Sequence, residues 1–305
     1  MNSDALVAID DVVLNFSPAS LTLLNVILAI VMFSIAIDLK PSDFKRIATA
    51  PKPLLTGLVS QFLLLPAVTF LLVLVTAPRP SIALGLILVA ACPGGNISNF
   101  ITHRAGGNTA LSVSMTAFST IGAIVLTPLN IAFWGSLYAP TREILRETAI
   151  DPVSVAITVG VLLVLPLGLG MTLNAQRPAL AERIRRPMQI VSMGIFAAFV
   201  VLALAANWAL FLQFAAAVAA LVLAHNALAL GTGYTLSTVM GLSEFDRRSL
   251  TIETGIQNSG LGLILIFGFF NGLGGMAVVA ALWGIWHLIS GIVLAQIMNR
   301  RPATR

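Results

Sequence analysis

Nine stretches of this chain stay apolar for about twenty residues or more: approximately 18–38, 53–76, 81–103, 108–136, 153–175, 188–206, 210–240, 249–271 and 276–298. A helix needs about 20 such residues to cross roughly 30 Å of hydrocarbon, where the backbone must satisfy its own polar groups. A spanning barrel is excluded, because its strands would alternate apolar and polar residues. Only 10% of the 305 residues are charged and 58% are hydrophobic, against about 25% charged in a soluble domain. The fold class predicted is all-α: a polytopic membrane protein with nine transmembrane helices. The lone Cys92 can form neither an internal disulfide nor a thiolate metal cluster.

Direction follows from Lys and Arg in the connections. One side receives Lys40, Lys45, Arg46, Lys52, Arg104, Arg177, Arg183, Arg185, Arg186, Arg247, Arg248, Arg300, Arg301 and Arg305; the other receives Arg79, Arg142 and Arg146. Fourteen against three puts the C-terminus in the cytoplasm and, with nine spans, the N-terminus outside. A bacterial inner membrane is the expected location. The basic balance therefore reads as topology rather than nucleic-acid binding. No signal peptide, transit peptide or lipidation motif is expected. The longest cytoplasmic connection, 39–52, holds Pro41-Ser42-Asp43-Phe44, a helix start capped by Ser42 or Asp43. The connections leave no room for a soluble catalytic or nucleotide-binding domain, and no obligatory protein partner is inferred.

Two spans break the pattern. The third reads Cys92-Pro93-Gly94-Gly95-Asn96-Ile97-Ser98-Asn99, and the eighth Glu253-Thr254-Gly255-Ile256-Gln257-Asn258-Ser259-Gly260. Both should unwind there. Irregular backbone at membrane depth is tolerated only when it is buried in protein or lines a cavity. One broken helix per half points to a transporter with inverted repeats and a central site.

Of the twelve acidic residues only Glu253 falls inside a span away from its ends; Asp38 sits at a span end. A carboxylate there costs at least about 2.5–3.5 kcal/mol unless compensated. No Lys or Arg lies at comparable depth, which leaves a cation or a proton; His103, His225 and His287 are further possible partners. Ser112 and Thr116 share a helix face, with Ser119 three residues on, although back-bonding to the helix is an alternative use of their hydroxyls. Gln61, roughly 12 Å into the second span by helix rise, serves equally as a ligand or as helix-to-helix glue.

Taken together, Cys92-Pro93-Gly94-Gly95 with Ser98-Asn99, Gly107-Asn108-Thr109-Ala110-Leu111-Ser112-Val113 and Glu253 through Gly260 resemble the bile acid:sodium symporter family. Leu39 through Phe44, and Trp286-His287 with Ile289-Ser290-Gly291, match as well, so the resemblance covers about residues 24 to 298. It implies inverted repeats, two discontinuous crossing helices, a panel domain (about 18–38 and 153–206) and a core domain (about 53–136 and 210–298). It also implies two transported sodium ions and no organic cofactor. Ser98, Asn99, Ser112, Thr116 and Glu253 correspond to the first sodium site. Gln61, Glu253 and Gln257, with carbonyls of Thr254 and Ile256, correspond to the second. Asn96, Asn258 and His287 correspond to positions near the substrate, although His287 between apolar neighbours also reads as a packed structural histidine. Asn96 stands where Thr is common in the family, and Leu288 where some members carry Asn.

The function implied is sodium-coupled import of an organic anion by alternating access, either bile-acid-like or a small carboxylate such as pantoate or pyruvate. A proton-coupled or efflux carrier of the same broad fold is the alternative. An intramembrane enzyme is disfavoured, because the chain has no His-Glu-x-x-His, no Gly-x-Ser-x-Gly and no paired intramembrane aspartates.

Overall fold

Proline punctuates the chain, and several helices begin where it falls, at Pro18, Pro51, Pro80, Pro152 and Pro178. A computed structural model describes residues 8–10, 17–37, 51–95, 97–148, 151–206 and 208–300. The Pro41–Phe44 helix start, Asp38 and the candidate Asn96 lie outside these residues. Helix α1 is Pro18–Ala36. A long bent helix follows, α2 (Pro51–Val59) and α3 (Leu65–Thr76), joined through a π turn at Ser60–Leu64. Next come α4 (Pro80–Ala91), α5 (Ile97–Arg104), α6 (Thr109–Leu137) and the short α7 (Ala139–Glu147). A second bent helix comprises α8 (Pro152–Val159), a π turn at Gly160–Val164 and α9 (Leu165–Gln176). The remainder is α10 (Pro178–Ala206), α11 (Trp208–Val239), α12 (Glu244–Gly255), α13 (Ser259–Phe269) and α14 (Gly274–Asn299). The described residues are helical and contain no named strand.

The two π turns share a cause. Pro66 and Pro166 lack an N–H, and each ring would strike the carbonyl four residues back. The helix widens instead. Leu65 N–H reaches the Ser60 carbonyl, and Leu165 N–H the Gly160 carbonyl. Such widened turns tend to fall at functional positions, and the first contains Gln61.

Five helices among the described residues are long and apolar enough to cross a membrane: Pro51–Thr76, Thr109–Leu137, Pro152–Gln176, Val218–Val239 and Gly274–Asn299. Their outward faces carry large apolar side chains such as Leu71, Val75, Leu129, Phe133 and Leu169. In water that surface would be a liability; against lipid it is the expected one. The protein is thus a multi-pass helical membrane protein.

A pattern occurs twice along the chain: a long helix, a 12-residue helix, a break, a short helix and another long helix. It runs from α2–α3 through α6, and again from α11 through α14. The second and third members of each set are the most enclosed. Every residue of α4 from Ser81 to Ala91 is buried, as is α12 from Arg248 to Gly255. Helix α4 packs on α6 and α14, α12 on α11, and α1 on α9 and α10. Enclosure in protein is what lets the irregular backbone at the breaks survive.

The α4–α14 contact depends on Gly85, where an added Cβ would stand 2.9 Å from the Met276 Cα. Gly85→Leu should destabilise the protein by about 1–3 kcal/mol through overpacking, seen as a lower thermal midpoint in detergent. Gly168→Leu, with nothing within 4 Å of its Cβ position, should leave the midpoint unchanged.

Candidate ion site where the broken helices cross

The α4–α5 break and the α12–α13 break meet back to back. Gly94 pairs with Gln257 in an isolated antiparallel bridge. Gly95 N–H donates to the Ile256 carbonyl at 2.6 Å, and Asn258 N–H to the Pro93 carbonyl at 2.9 Å. Each break thereby satisfies part of the other's backbone. The close approach explains the glycines. A Cβ on Gly95 would lie 2.7 Å from the Gln257 carbonyl oxygen, and one on Gly94 would collide with Glu253 Oε1.

Carbonyls freed where α4 and α12 stop are met by side chains from other helices. Thr127 Oγ1 donates to the Ala91 carbonyl at 2.7 Å, Gln61 Nε2 to that of Cys92 at 2.8 Å, and Asn226 Nδ2 to that of Gly255 at 2.8 Å. Asn226 is itself held by Ser290 Oγ at 2.6 Å. On the far side of the second break Asn258 caps α13, its Oδ1 accepting from Leu261 N–H at 3.0 Å. A buried helix end without such partners would be costly.

Glu253, 1% exposed, lies beside the crossing. Its carboxylate accepts from Ser98 Oγ at 2.6 Å, Ser112 Oγ at 2.9 Å and Thr116 Oγ1 at 2.6 Å. Among the described residues no Lys, Arg or His is bonded to it. The oxygens outnumber the protons. Ser112 Oγ also stands 2.8 Å from Asn99 Oδ1; Thr116 Oγ1 stands 3.3 Å from the same oxygen and 3.1 Å from the Ser112 carbonyl. A hydroxyl has one proton to give. With Asn99 Oδ1 turned toward them, Ser112 faces two acceptors and Thr116 three, more than their hydroxyl protons can serve. A small cation among these oxygens relieves both that shortage and the unpaired charge. The donor set, one carboxylate with hydroxyl and amide oxygens, suits a hard cation. No group of three or more His, Cys, Asp and Glu that could hold a metal occurs among the described residues.

Gln61, Gln257, Thr254 and Ile256 form a second group at the same crossing, with a different balance. Gln61 Nε2 donates to Gln257 Oε1 at 2.7 Å, Gln257 Nε2 returns a bond to Gln61 Oε1 at 3.3 Å and gives another to the Thr254 carbonyl at 2.7 Å. The Ile256 carbonyl already takes the Gly95 N–H. The amide protons are used, and Glu253 makes no hydrogen bond to this group among the described residues.

Asn258 and His287 are buried and each carries an orphan atom, Nδ2 and Nδ1 respectively. No hydrogen bond joins them among the described residues. The His287 ring stands edge-on to Trp283, with centroids 5.8 Å apart. His225 is fully occupied: Trp283 Nε1 donates to its Nδ1 at 2.9 Å, which fixes the proton on Nε2, 2.7 Å from Thr69 Oγ1. Thr69 in turn donates to the Leu65 carbonyl. His103 is exposed.

Sequence reading passed over Thr127, Asn226 and Arg248. The first two are single polar residues in apolar spans, a weak signal whose partners only the fold reveals. Arg248, counted above as a connection charge, is buried: it donates to the Ala105 carbonyl at 2.8 Å and to Glu244 at 3.1 Å. Nearby, Ser249 Oγ reaches the Asn108 carbonyl and Asn108 Nδ2 reaches Asp246. This knot ties the start of α12 to the α5–α6 turn.

Two interrupted helices crossing at a buried carboxylate, within a bundle of apolar helices, define a membrane carrier rather than an anchor. The family model described as Sodium Bile acid symporter family matches residues 25–240, and the chain belongs to that family. Several of its relatives are named as transporters. It is 30% identical over 294 residues to an uncharacterized sodium-dependent transporter of Bacillus subtilis, YocS, covering 95% of this chain and 88% of the relative. It is 32% identical over 272 residues to a probable sodium/metabolite cotransporter of rice, chloroplastic BASS1, covering 89% of this chain but 64% of that longer protein. It is 28% identical over 249 residues to the human ileal sodium/bile acid cotransporter, covering 79% of this chain and 67% of the relative.

If the backbone bridge sets the site, then Gly94→Leu or Gly95→Leu should abolish uptake while leaving recoverable folded protein by gel filtration in detergent. Normal uptake by both variants would show that the crossing is dispensable.

Proposed function

We propose that the chain is a symporter in which two sodium ions drive the import of one organic anion by alternating access. It would have nine transmembrane helices, an outward N-terminus and a cytoplasmic C-terminus. In this reading α2 through α6 and α11 through α14 form the core, related as inverted repeats, while α1 and α8 through α10 form the panel. Ser98, Asn99, Ser112, Thr116 and Glu253 hold the first sodium. Gln61, Gln257, Glu253 and the Thr254 and Ile256 carbonyls hold the second.

The observation that carries the proposal is the proton shortage around Glu253: three hydroxyls meet one buried carboxylate, a side-chain amide oxygen meets two of those hydroxyls, and no basic partner stands among the described residues. The second group is proton-balanced, so a sodium there must displace the Gln61–Gln257 bond. That makes it the weaker of the two sites and the one filled later. Asn258, His287 and Asn96 are proposed to face the substrate; the orphan atoms of the first two support this. Relatives named for metabolite and bile acid transport support an anion that is bile-acid-like or a small carboxylate such as pantoate or pyruvate.

Two sodium ions entering with a monoanion carry one net charge, which supplies about 2.3 kcal/mol at 100 mV. A tenfold sodium gradient adds about 1.4 kcal/mol per ion. Uptake into proteoliposomes should therefore speed up with an inward-negative potential and stop when potassium replaces sodium. Glu253→Ala should abolish it, and Gln61→Ala should lower the sodium Hill coefficient toward one. Equal uptake in potassium, or uptake following a proton gradient, would turn Glu253 into a proton carrier and reject the sodium reading.

His287→Ala should change substrate affinity while the sodium dependence of thermal stability persists. The opposite pattern, sodium dependence lost and substrate affinity kept, would mean that the two roles are exchanged.

A further inference from the structure

A cavity of about 570 Å³ opens at the end of the bundle where α6, α7, α8 and α13 meet. Its size falls in the range of small-molecule pockets, about 300–1,000 Å³. Ile131, Leu145, Val155, Leu265 and Phe269 give it apolar walls. Two cations border it, Arg142 and Arg146, one turn apart on the same face of α7. The acids of that helix, Glu143 and Glu147, do not line it.

Both guanidinium groups are available. Arg142 commits only its Nε–H, to the Ser136 carbonyl at 2.6 Å, which orients the group. The Arg146 side chain makes no hydrogen bond or ion pair among the described residues. The nearby Asp151 does not compete for them. It caps α8, and the Ser154 hydroxyl first, then the Val153 and Ser154 N–H groups, hold its carboxyl below the usual range.

The cavity is linked to the crossing through α6, none of its lining residues belonging to either break. Pro128 lines it, and its chain neighbour Thr127 holds the Ala91 carbonyl at the first break. It is nonetheless separate from the carboxylate group: Pro128 is twelve residues beyond Thr116, about 18 Å along α6.

From this combination of apolar walls, paired guanidinium groups at the mouth and a wall of α6, the helix that also holds the first break, we propose that the cavity is a capture vestibule for amphipathic organic anions. The acid head rests on Arg142 and Arg146, and the apolar body lies against Ile131, Leu265 and Phe269. Binding there needs no sodium, because no part of the vestibule touches the Glu253 group. The direction in which a captured anion then moves rests on the symporter reading; the binding itself does not.

The test is equilibrium binding of radiolabelled cholate, a steroid carboxylate, to the purified protein in potassium buffer without sodium. The uncharged methyl ester serves as control. Wild type should bind cholate, and R142Q/R146Q should bind it about tenfold more weakly, the scale of two partly exposed charge-assisted contacts. R146Q, which loses no hydrogen bond within the fold, should show a smaller loss in the same direction, with an unchanged gel-filtration profile. E143Q should show no weakening. The methyl ester should not distinguish wild type from R142Q/R146Q. Added salt should weaken wild-type binding more than that of the double variant. Absence of cholate binding without sodium, or equal affinity in wild type and R142Q/R146Q, would overturn the vestibule. Sodium-driven uptake in the same preparations tests the symporter reading separately, since binding in potassium can fail while that uptake persists, or the reverse.

Discussion

Glu253 is a carboxyl group, a negative charge once ionised, placed where water does not reach it, among hydroxyls with too few protons to go round. Leaving such a charge uncompensated is among the costliest things a fold can do. The surrounding architecture makes sense as a means of holding that arrangement in place. The carboxylate fits beside Gly94 only because that residue has no Cβ. The glycine pair lets two chain segments touch backbone to backbone, and the bridge between Gly94 and Gln257 fixes where α5 and α13 begin. Interrupting two helices exposes carbonyls, which is why Thr127, Gln61 and Asn226 come in from three other helices.

The same dependence runs outward. Helices α4 and α12, which lead into the breaks, are the most enclosed elements, sealed by α6, α11 and α14. At the end remote from the vestibule, Arg248, Asn108 and Ser249 knot the two halves together. In the proposed alternating access, a crossing tied at its base would move as one body against α1 and its partners. The two amide-bearing side chains at the crossing, Gln61 and Gln257, satisfy each other, so the second group can stay closed without an ion whereas the first remains short of positive charge.

Much of this was legible in the sequence, and the reasons are physical. Apolar runs of membrane length located the helices, because hydrocarbon tolerates little else. Proline with paired glycines located the first break, and two glycines around an amide pair the second, because proline and glycine propagate a helix poorly. The lone acid in mid-span located Glu253, and helical spacing placed Ser112 with Thr116. What was not legible depends on pairings between distant residues. That Asn226 serves the Gly255 carbonyl, or that Trp283 fixes the proton of His225, follows from helix packing that no local pattern encodes. The π turn at Gln61 was missed although its cause, Pro66, is visible. The charge count assigned Arg248 to one side but could not show its burial, since membrane-side arithmetic does not distinguish a solvated arginine from one buried against the Ala105 carbonyl.

The central claim is that the oxygens around Glu253 bind sodium in preference to a proton or potassium. Equilibrium binding of radiolabelled sodium to the purified protein in choline buffer measures this without requiring a substrate. The account predicts saturable binding that unlabelled sodium displaces, that equal potassium does not, and that is lost in Glu253→Gln. No saturable sodium binding, or full retention of it in Glu253→Gln, would contradict it.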